Sequence, residues 1–309
     1  MTGTSSQWPD FLVIGSAKAG TTSLYRYLKS HPQIYLSRMK EPKYFAFPDT
    51  RPVLRGPDHR IPVIWKTADY RRLFEARTME TVAGEMSTVY LCSECSPGAI
   101  RKLIPNAKLI AILRNPAERA YSHFCHNRRD GQEPLADFAA ALDAEEKRIA
   151  QGWWVRYHYR HRGYYARQLR PYLELFPRRQ MLILLYDDLV ADCQEFLKKI
   201  CSFLGIDENY IFDTAERQNV TVGIPRTFVL RRILRWVGPA KHRILRAVPP
   251  KLMATLYPAL SKLIWAPKPE FRPAVRAQLV SEFKPDILEL QKIIGRDLSA
   301  WLRCEAGCT

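Results

Sequence analysis

The chain has 309 residues, enough for one large α/β domain or two smaller ones, and 47% of them are hydrophobic, ample material for a core. With 48 Lys and Arg against 31 Asp and Glu the formal net charge is +17, which points to polyanionic partners: a nucleotide, a sulfated or phosphorylated acceptor, or an anionic membrane. No apolar run approaches the roughly 18 residues of a membrane span, and a first strand beginning at residue 11 leaves no room for a signal peptide. The seven cysteines are an odd number and several sit in apolar segments, which suits a reducing compartment better than a disulfide framework. A cytoplasmic location is expected. Cys92-x-x-Cys95 has zinc-ligand spacing, but no second pair completes a tetrahedral set, so idle thiols and no metal are expected.

In chain order, Phe11 to Ile14 is a short unbroken apolar run, the pattern of a strand buried on both faces of a parallel sheet. A loop of small residues follows, with Gly15 and Gly20, and then Leu24, Tyr25 and Leu28 fall at helical spacing until His31-Pro32. A strand, a glycine-bearing loop and a helix N-terminus form an anion cradle, because unpaired backbone N–H groups and the positive end of the helix dipole converge there. Further strands are predicted at Gln33–Leu36, Thr81–Glu85, Lys108–Leu113 and Gln180–Tyr186. Helices are predicted at Ala68–Phe74, Pro97–Ile104, Pro116–Arg128, Leu135–Ile149, Tyr164–Phe176, Cys193–Leu204 and Arg276–Leu302. Residues 48–62, with four prolines and Gly56, read as a surface excursion. The alternation of strands and helices gives α/β as the fold class, a central parallel sheet flanked by helices. Residues 217–269 stand apart, with no Asp or Glu and eleven Lys and Arg. They are read as a basic helical or lid subregion within a single 1–309 domain, and as a peripheral contact for an anionic membrane. No nucleic-acid fold signature accompanies them, so nucleic acid is not an expected partner.

The first loop resembles the phosphate loop of nucleotide-binding enzymes, G-x-x-x-x-G-K-[ST], with one departure. Gly15 and Gly20 keep the interval and Thr22 keeps the hydroxyl, but Thr21 stands at the lysine position and the lysine has moved to Lys18. The sequence Ala17-Lys18-Ala19-Gly20-Thr21-Thr22-Ser23-Leu24 resembles instead the 5′-phosphosulfate loop of sulfotransferases that use 3′-phosphoadenosine 5′-phosphosulfate (PAPS). Leu113-Arg114-Asn115-Pro116-Ala117-Glu118-Arg119-Ala120-Tyr121-Ser122 is similar to the 3′-phosphate motif of that family. Arg114 stands at a strand end, suited to forking a phosphate, and Arg119, Ser122 and His126 fall on one helical face. Lys40-Glu41-Pro42-Lys43-Tyr44-Phe45 resembles the stretch that carries the general base in bacterial and glycosaminoglycan sulfotransferases.

The resemblance implies one α/β domain, PAPS as donor with adenosine 3′,5′-bisphosphate as product, no metal, and in-line transfer of a sulfuryl group to an acceptor hydroxyl of a sugar, lipid or natural product. It implies Lys18 and Glu41 as catalytic residues, with Lys18, Ala19, Gly20, Thr21, Thr22, Ser23, Arg114, Ser122 and, more weakly, Arg226 of Asn219–Arg226 holding the nucleotide. His123, His126, His158 and His161 compete with Glu41 as base. Glu85 of Gly84–Tyr90 is read as a ligand of acceptor or lysine, or as structural; Arg162-Gly163-Tyr164 and Tyr186-Asp187-Asp188-Leu189 are read as architectural. The alternative is a P-loop kinase or NTPase using ATP and magnesium, with Asp187, at the end of an apolar strand, on the metal.

Overall fold

A computed structural model describes residues 7–57, 61–214, 224–225, 265–266 and 268–303. Five strands, β1 (Phe11–Gly15), β2 (Ile34–Leu36), β3 (Val82–Met86), β4 (Lys108–Leu113) and β5 (Met181–Leu185), form one parallel sheet in the order β2-β3-β1-β4-β5. The two-residue period of a strand sends alternate side chains to opposite faces, and the central strands are apolar on both. Leu12, Ile14, Leu109, Ala111 and Leu113 enter one core cluster, while Phe11, Val13, Ile110 and Ile112 enter the other. That double burial is why these segments read as continuous apolar runs.

The helices α1 (Thr21–Ser30), α2 (Thr67–Arg72), α3 (Ser96–Leu103), α4 (Pro116–Arg129), α5 (Phe138–Asp143), α6 (Glu145–Ala150), α7 (Tyr165–Leu175), α8 (Tyr186–Ala191), α9 (Cys193–Leu204) and α10 (Pro273–Ile294) surround the sheet. α1 and α9 cover one face; α3, α4, α7 and α10 contribute to the core on the other. After β1 the chain turns toward β2, and after β4 it turns toward β5. The carboxyl ends of β1 and β4 therefore flank the point where the strand order reverses, the position at which open α/β sheets bind ligands.

Two helices differ from expectation. Leu135–Ile149 is divided at Ala144 into α5 and α6, because Glu145 turns into the interior, where its carboxylate accepts the backbone N–H groups of Arg160 (2.7 Å) and His161 (2.9 Å). The segment Arg276–Leu302 begins three residues early at Pro273 and stops at Gly295, whose φ of 64° is open to glycine at little cost. A separate short 3₁₀ turn, Ser299–Leu302, follows. Almost all of 217–269, including Arg226, lies outside the described residues. What is described there is a two-residue antiparallel ladder, β6 (Ile224–Pro225) with β7 (Trp265–Ala266), and the exit at Lys268 and Pro269. No helix among the described residues is long and apolar enough to cross a membrane.

The packing of β1 on β3 gives a direct test. Gly84 pairs with Phe11, and a Cβ on Gly84 would lie 2.3 Å from the Phe11 ring. Gly84→Ala is expected to destabilise the fold by about 1–3 kcal/mol through overpacking. Gly98→Ala in α3, where a Cβ meets nothing within 4 Å, should stabilise by about 0.4–1 kcal/mol. Urea denaturation of the two variants against the parent chain checks both signs.

Candidate active site

The loop from β1 to α1 sets the site. Gly20 is the N-cap of α1 with φ 78°, and a Cβ there would come within 2.7 Å of Leu189 and 3.2 Å of Tyr186, so the position admits only glycine. Gly20 brings no side chain to cap α1, so the positive end of this helix meets the cleft through the backbone at Gly20, Thr21 and Thr22. Lys18 is itself left-handed at φ 69°, a conformation costing on the order of 1–3 kcal/mol for a residue with a side chain.

Arg114, leaving β4, reaches across to this loop. Its Nη1 donates to the Lys18 carbonyl (3.1 Å), its guanidinium lies 4.9 Å from the centre of the Tyr186 ring, and its own carbonyl accepts from the Tyr165 hydroxyl (2.9 Å). The next residue, Asn115, caps α4 by accepting from the N–H groups of Ala117 (3.0 Å) and Glu118 (3.3 Å), so that Pro116 can open the helix. α4 then carries Ser122 and His126 to the wall of the same cleft.

That cleft, about 820 Å³, lies within the range of roughly 300–1,000 Å³ seen for small-molecule sites. It brings together Lys18, Gly20, Thr21, Thr22, Ser23, Glu41, Arg114 and Ser122 of the residues named from sequence. Ala19 is fully buried and absent from the wall, so it offers only its backbone. Arg119 departs from expectation. It is fully buried, its Nη2 donates to the Tyr159 carbonyl and its Nη1 approaches His123 Nδ1 at 3.4 Å, so it holds the fold rather than the cleft. Glu85 is also buried and is bonded by the hydroxyls of Tyr70, Ser87 and Tyr90, not by a lysine or the cleft.

Glu41 enters from the loop after β2. Its N–H donates to the Met86 carbonyl (3.0 Å), its Oε1 accepts from Thr88 Oγ1 (3.1 Å), and Lys43 Nζ stands 3.7 Å from its Oε2. Glu41 and Lys43 are both left-handed, at φ 62° and 64°. Of the competing histidines, His123 and His126 line the cleft and His158 and His161 do not. Burial holds His123 and His126 well below the usual imidazole range, and Lys18 adds to the effect on His126. Both Nδ1 lone pairs face guanidinium donors, Arg119 at 3.4 Å and Arg129 at 3.0 Å.

Several cleft residues carried no clear signal in sequence. Lys40 Nζ donates to Thr22 Oγ1 (2.6 Å), adding a second cation over the α1 N-terminus; its place beside Glu41 was visible, its partner 18 residues away was not. Tyr186, Arg156, Lys268, Arg276 and Trp301 also line the wall. Crowding shows in Lys18, whose amine is pushed down to about 8, first by burial and then by Arg129, with Arg114 and Lys40 adding to it and Asp130 opposing. Lys40 and Lys43 are lowered as well, each chiefly by burial. Both acids after β5 are already bonded: Asp188, off the cleft wall, is forked by Arg296 (3.0 and 3.0 Å), and Asp187, on it, accepts from Trp301 Nε1 (2.9 Å).

The human bifunctional heparan sulfate N-deacetylase/N-sulfotransferase 3 is 32% identical over 310 residues, covering 98% of this chain and 32% of that protein. The mouse bifunctional heparan sulfate N-deacetylase/N-sulfotransferase 4 is 30% identical over 314 residues, with the same two shares. The chain thus spans about a third of the length of these curated relatives. A crystal structure of a sulfotransferase from Alicyclobacillus acidocaldarius superposes with a TM-score of 0.75 at 30% identity, covering 96% of this chain and 99% of that one. The family model described as "Sulfotransferase family" matches residues 9–210, which include the β1–α1 loop, Glu41, Arg114 and Ser122, and the chain belongs to that family.

Proposed function

We propose that this chain transfers the sulfuryl group of PAPS to an acceptor nucleophile, releasing adenosine 3′,5′-bisphosphate. The observation that carries this is the meeting of the uncapped α1 N-terminus, Lys18, Arg114, Ser122 and Glu41 on one cleft. The N–H groups of residues 18–23 with Lys18, Thr21 and Thr22 would hold the phosphosulfate, and Arg114 with Ser122 the 3′-phosphate. Arg226 belongs to the same proposal as a further cation for the nucleotide. Glu41 takes the proton of the acceptor as that atom attacks sulfur and the bond from sulfur to the bridging oxygen breaks; Lys18 meets the charge left on that oxygen. Glu41 is favoured over His123 and His126 because their Nδ1 lone pairs already face arginine donors.

The kinase alternative needs the hydroxyl after the loop and the acid after β5 on magnesium. Here Thr22 Oγ1 takes a bond from Lys40, and Asp187 takes one from Trp301. The acceptor side of the cleft is basic. Lys43, Arg156 and Arg162 lie around Glu41 and Thr88, where Arg162 Nη2 donates to the Thr88 carbonyl (3.0 Å). An acceptor carrying carboxylate or sulfate fits that wall. The relatives named above act, by their names, on heparan sulfate nitrogen, so amine and hydroxyl acceptors both belong in the test. A single domain over 1–309, a cytoplasmic location, and contact of 217–269 with the acceptor or an anionic membrane surface complete the proposal.

Labelled PAPS offered to a glucosamine–glucuronate polymer should label it at least ten-fold faster than its carboxyl-reduced form; equal rates would remove the anionic-acceptor assignment. Blocking the polymer's amines then separates nitrogen from oxygen as the nucleophile. Lys18→Ala should lower turnover by on the order of 10²–10³, about 2.7–4 kcal/mol, with an unchanged circular dichroism spectrum. Adenosine 3′,5′-bisphosphate should bind in EDTA, with affinity level from about pH 7, where its phosphates are fully ionised, to about pH 8 and falling above it. The sign follows from Lys18: with its amine near 8 in the free protein, it is neutral above that pH, while a bound anion favours the charged form and so takes up a proton. Calorimetry at pH 8.5 in buffers of different ionisation enthalpy should show that uptake, and Lys18→Met should abolish it.

A further inference from the structure

Behind the Glu41 loop lies a buried acid that the proposed chemistry does not use. Glu85, at the carboxyl end of β3, is wholly enclosed, and its carboxylate is met by three hydroxyls and, among the described residues, bonded by no Lys or Arg. Oε2 accepts from Ser87 Oγ (2.9 Å), and Oε1 accepts from Tyr90 (2.6 Å) and from Tyr70 (3.3 Å). Two of these hydroxyls pass the polarity on. Ser87 Oγ accepts the backbone N–H of Lys43 (3.0 Å), and the Tyr90 hydroxyl accepts the N–H of Phe45 (3.4 Å). The third, Tyr70, touches no backbone group of that loop in the bonds described.

We infer that Glu85 is a positioning residue for Glu41: it orients the hydroxyls of Ser87 and Tyr90 so that each keeps its lone pairs toward the backbone N–H groups of Lys43 and Phe45, and so holds the loop in which Glu41 and Lys43 are left-handed. The assignment rests on Glu41 as the base. A hydroxyl that donates to a carboxylate is fixed as an acceptor on its other side, so the single acid sets the direction of both relays. The loop needs such a frame, because Glu41 and Lys43 both adopt φ near 60°, and a base displaced by about 1 Å loses on the order of 10² in rate. The acid is costly to enclose. Burial pushes it up to about 7 against the pull of the three hydroxyls, and Glu41 adds repulsion. A plain core position would be filled more cheaply by an apolar side chain.

The test compares two hydroxyl deletions that are equivalent from the standpoint of Glu85 but not from that of the loop. Ser87→Ala removes a relay; Tyr70→Phe removes a bond of the same acid that leads nowhere. The readouts are sulfate released from labelled PAPS with water as acceptor, the Kd for adenosine 3′,5′-bisphosphate, and amide hydrogen exchange over residues 41–46. Ser87→Ala should slow sulfate release at least ten-fold, leave the Kd within two-fold, and speed exchange at 41–46. Tyr70→Phe should leave all three within two-fold. Equal losses in both variants, an unchanged rate in Ser87→Ala, or a weakened Kd matching the lost rate would overturn the inference. Glu41→Gln run in parallel separates the two levels. If that variant keeps its rate, the base assignment has failed and the positioning role goes with it; if it loses its rate while Ser87→Ala does not, only the positioning role has failed.

Discussion

One guanidinium joins the two strands on which this site depends. Arg114 leaves β4, bonds the crest of the loop leaving β1 through the Lys18 carbonyl, and rests on the ring of Tyr186 at the end of β5. Tyr186 in turn packs against Gly20, so the same ring supports both the loop and the arginine. Three neighbouring strand ends are thereby fixed to one another at the point of strand-order reversal. A ligand spanning them needs no large closing movement to find both contacts, which keeps the ordering cost of binding low.

The electrostatic cost of this arrangement is visible in the free protein. Lys18, Lys40, Lys43, Arg114 and Arg156 surround one cleft whose acids, Glu41, Glu118 and Asp187, are fewer. Burial lowers the proton affinity of the three lysines, with neighbouring cations adding to the effect on Lys18 and Lys43, and the fold spends further free energy on left-handed φ values at Lys18, Glu41 and Lys43. Local rules of sequence are broken here and little elsewhere in the sheet, the distribution expected when strain is concentrated where an anion offsets it.

What the sequence disclosed follows from what is local. The five strands were legible because burial on both faces leaves continuous apolar runs, and the β1–α1 loop because Gly20 and the residues after it obey a short-range geometric rule. That Arg114 and Ser122 line the cleft was legible from the place of the first at a strand end and the spacing of the second on α4. The same spacing misled for Arg119, since periodicity assigns a face but does not say whether that face meets a cleft or the buried carbonyl of Tyr159. The break at Ala144 escaped because Glu145 reads as an exposed helical acid until the amides of residues 160 and 161 are known to need an acceptor. Lys40 on Thr22 and Tyr186 beneath Arg114 are contacts between distant segments, which no local pattern encodes.

The C-terminal part of the chain belongs to the site as much as the strands do. Arg296 and Trp301 bind the two consecutive acids of α8, while the Trp301 carbonyl accepts from the side chain of Asn115, the cap of α4. Arg276 in α10 pairs with Glu118 in the first turn of α4 (3.0 Å), and Tyr121 in the second turn of α4 donates to the Pro269 carbonyl and stacks on Phe271, with centroids 4.7 Å apart. The segment that returns from 217–269 is thus fastened to the very helix that carries Ser122. Arg114 and Tyr186, the residues on which the loop rests, are braced from outside by these bonds. The bonds of Arg296 and Trp301 to α8 thus reach, through Tyr186 at the start of that helix, the ring that lies against both Gly20 and Arg114.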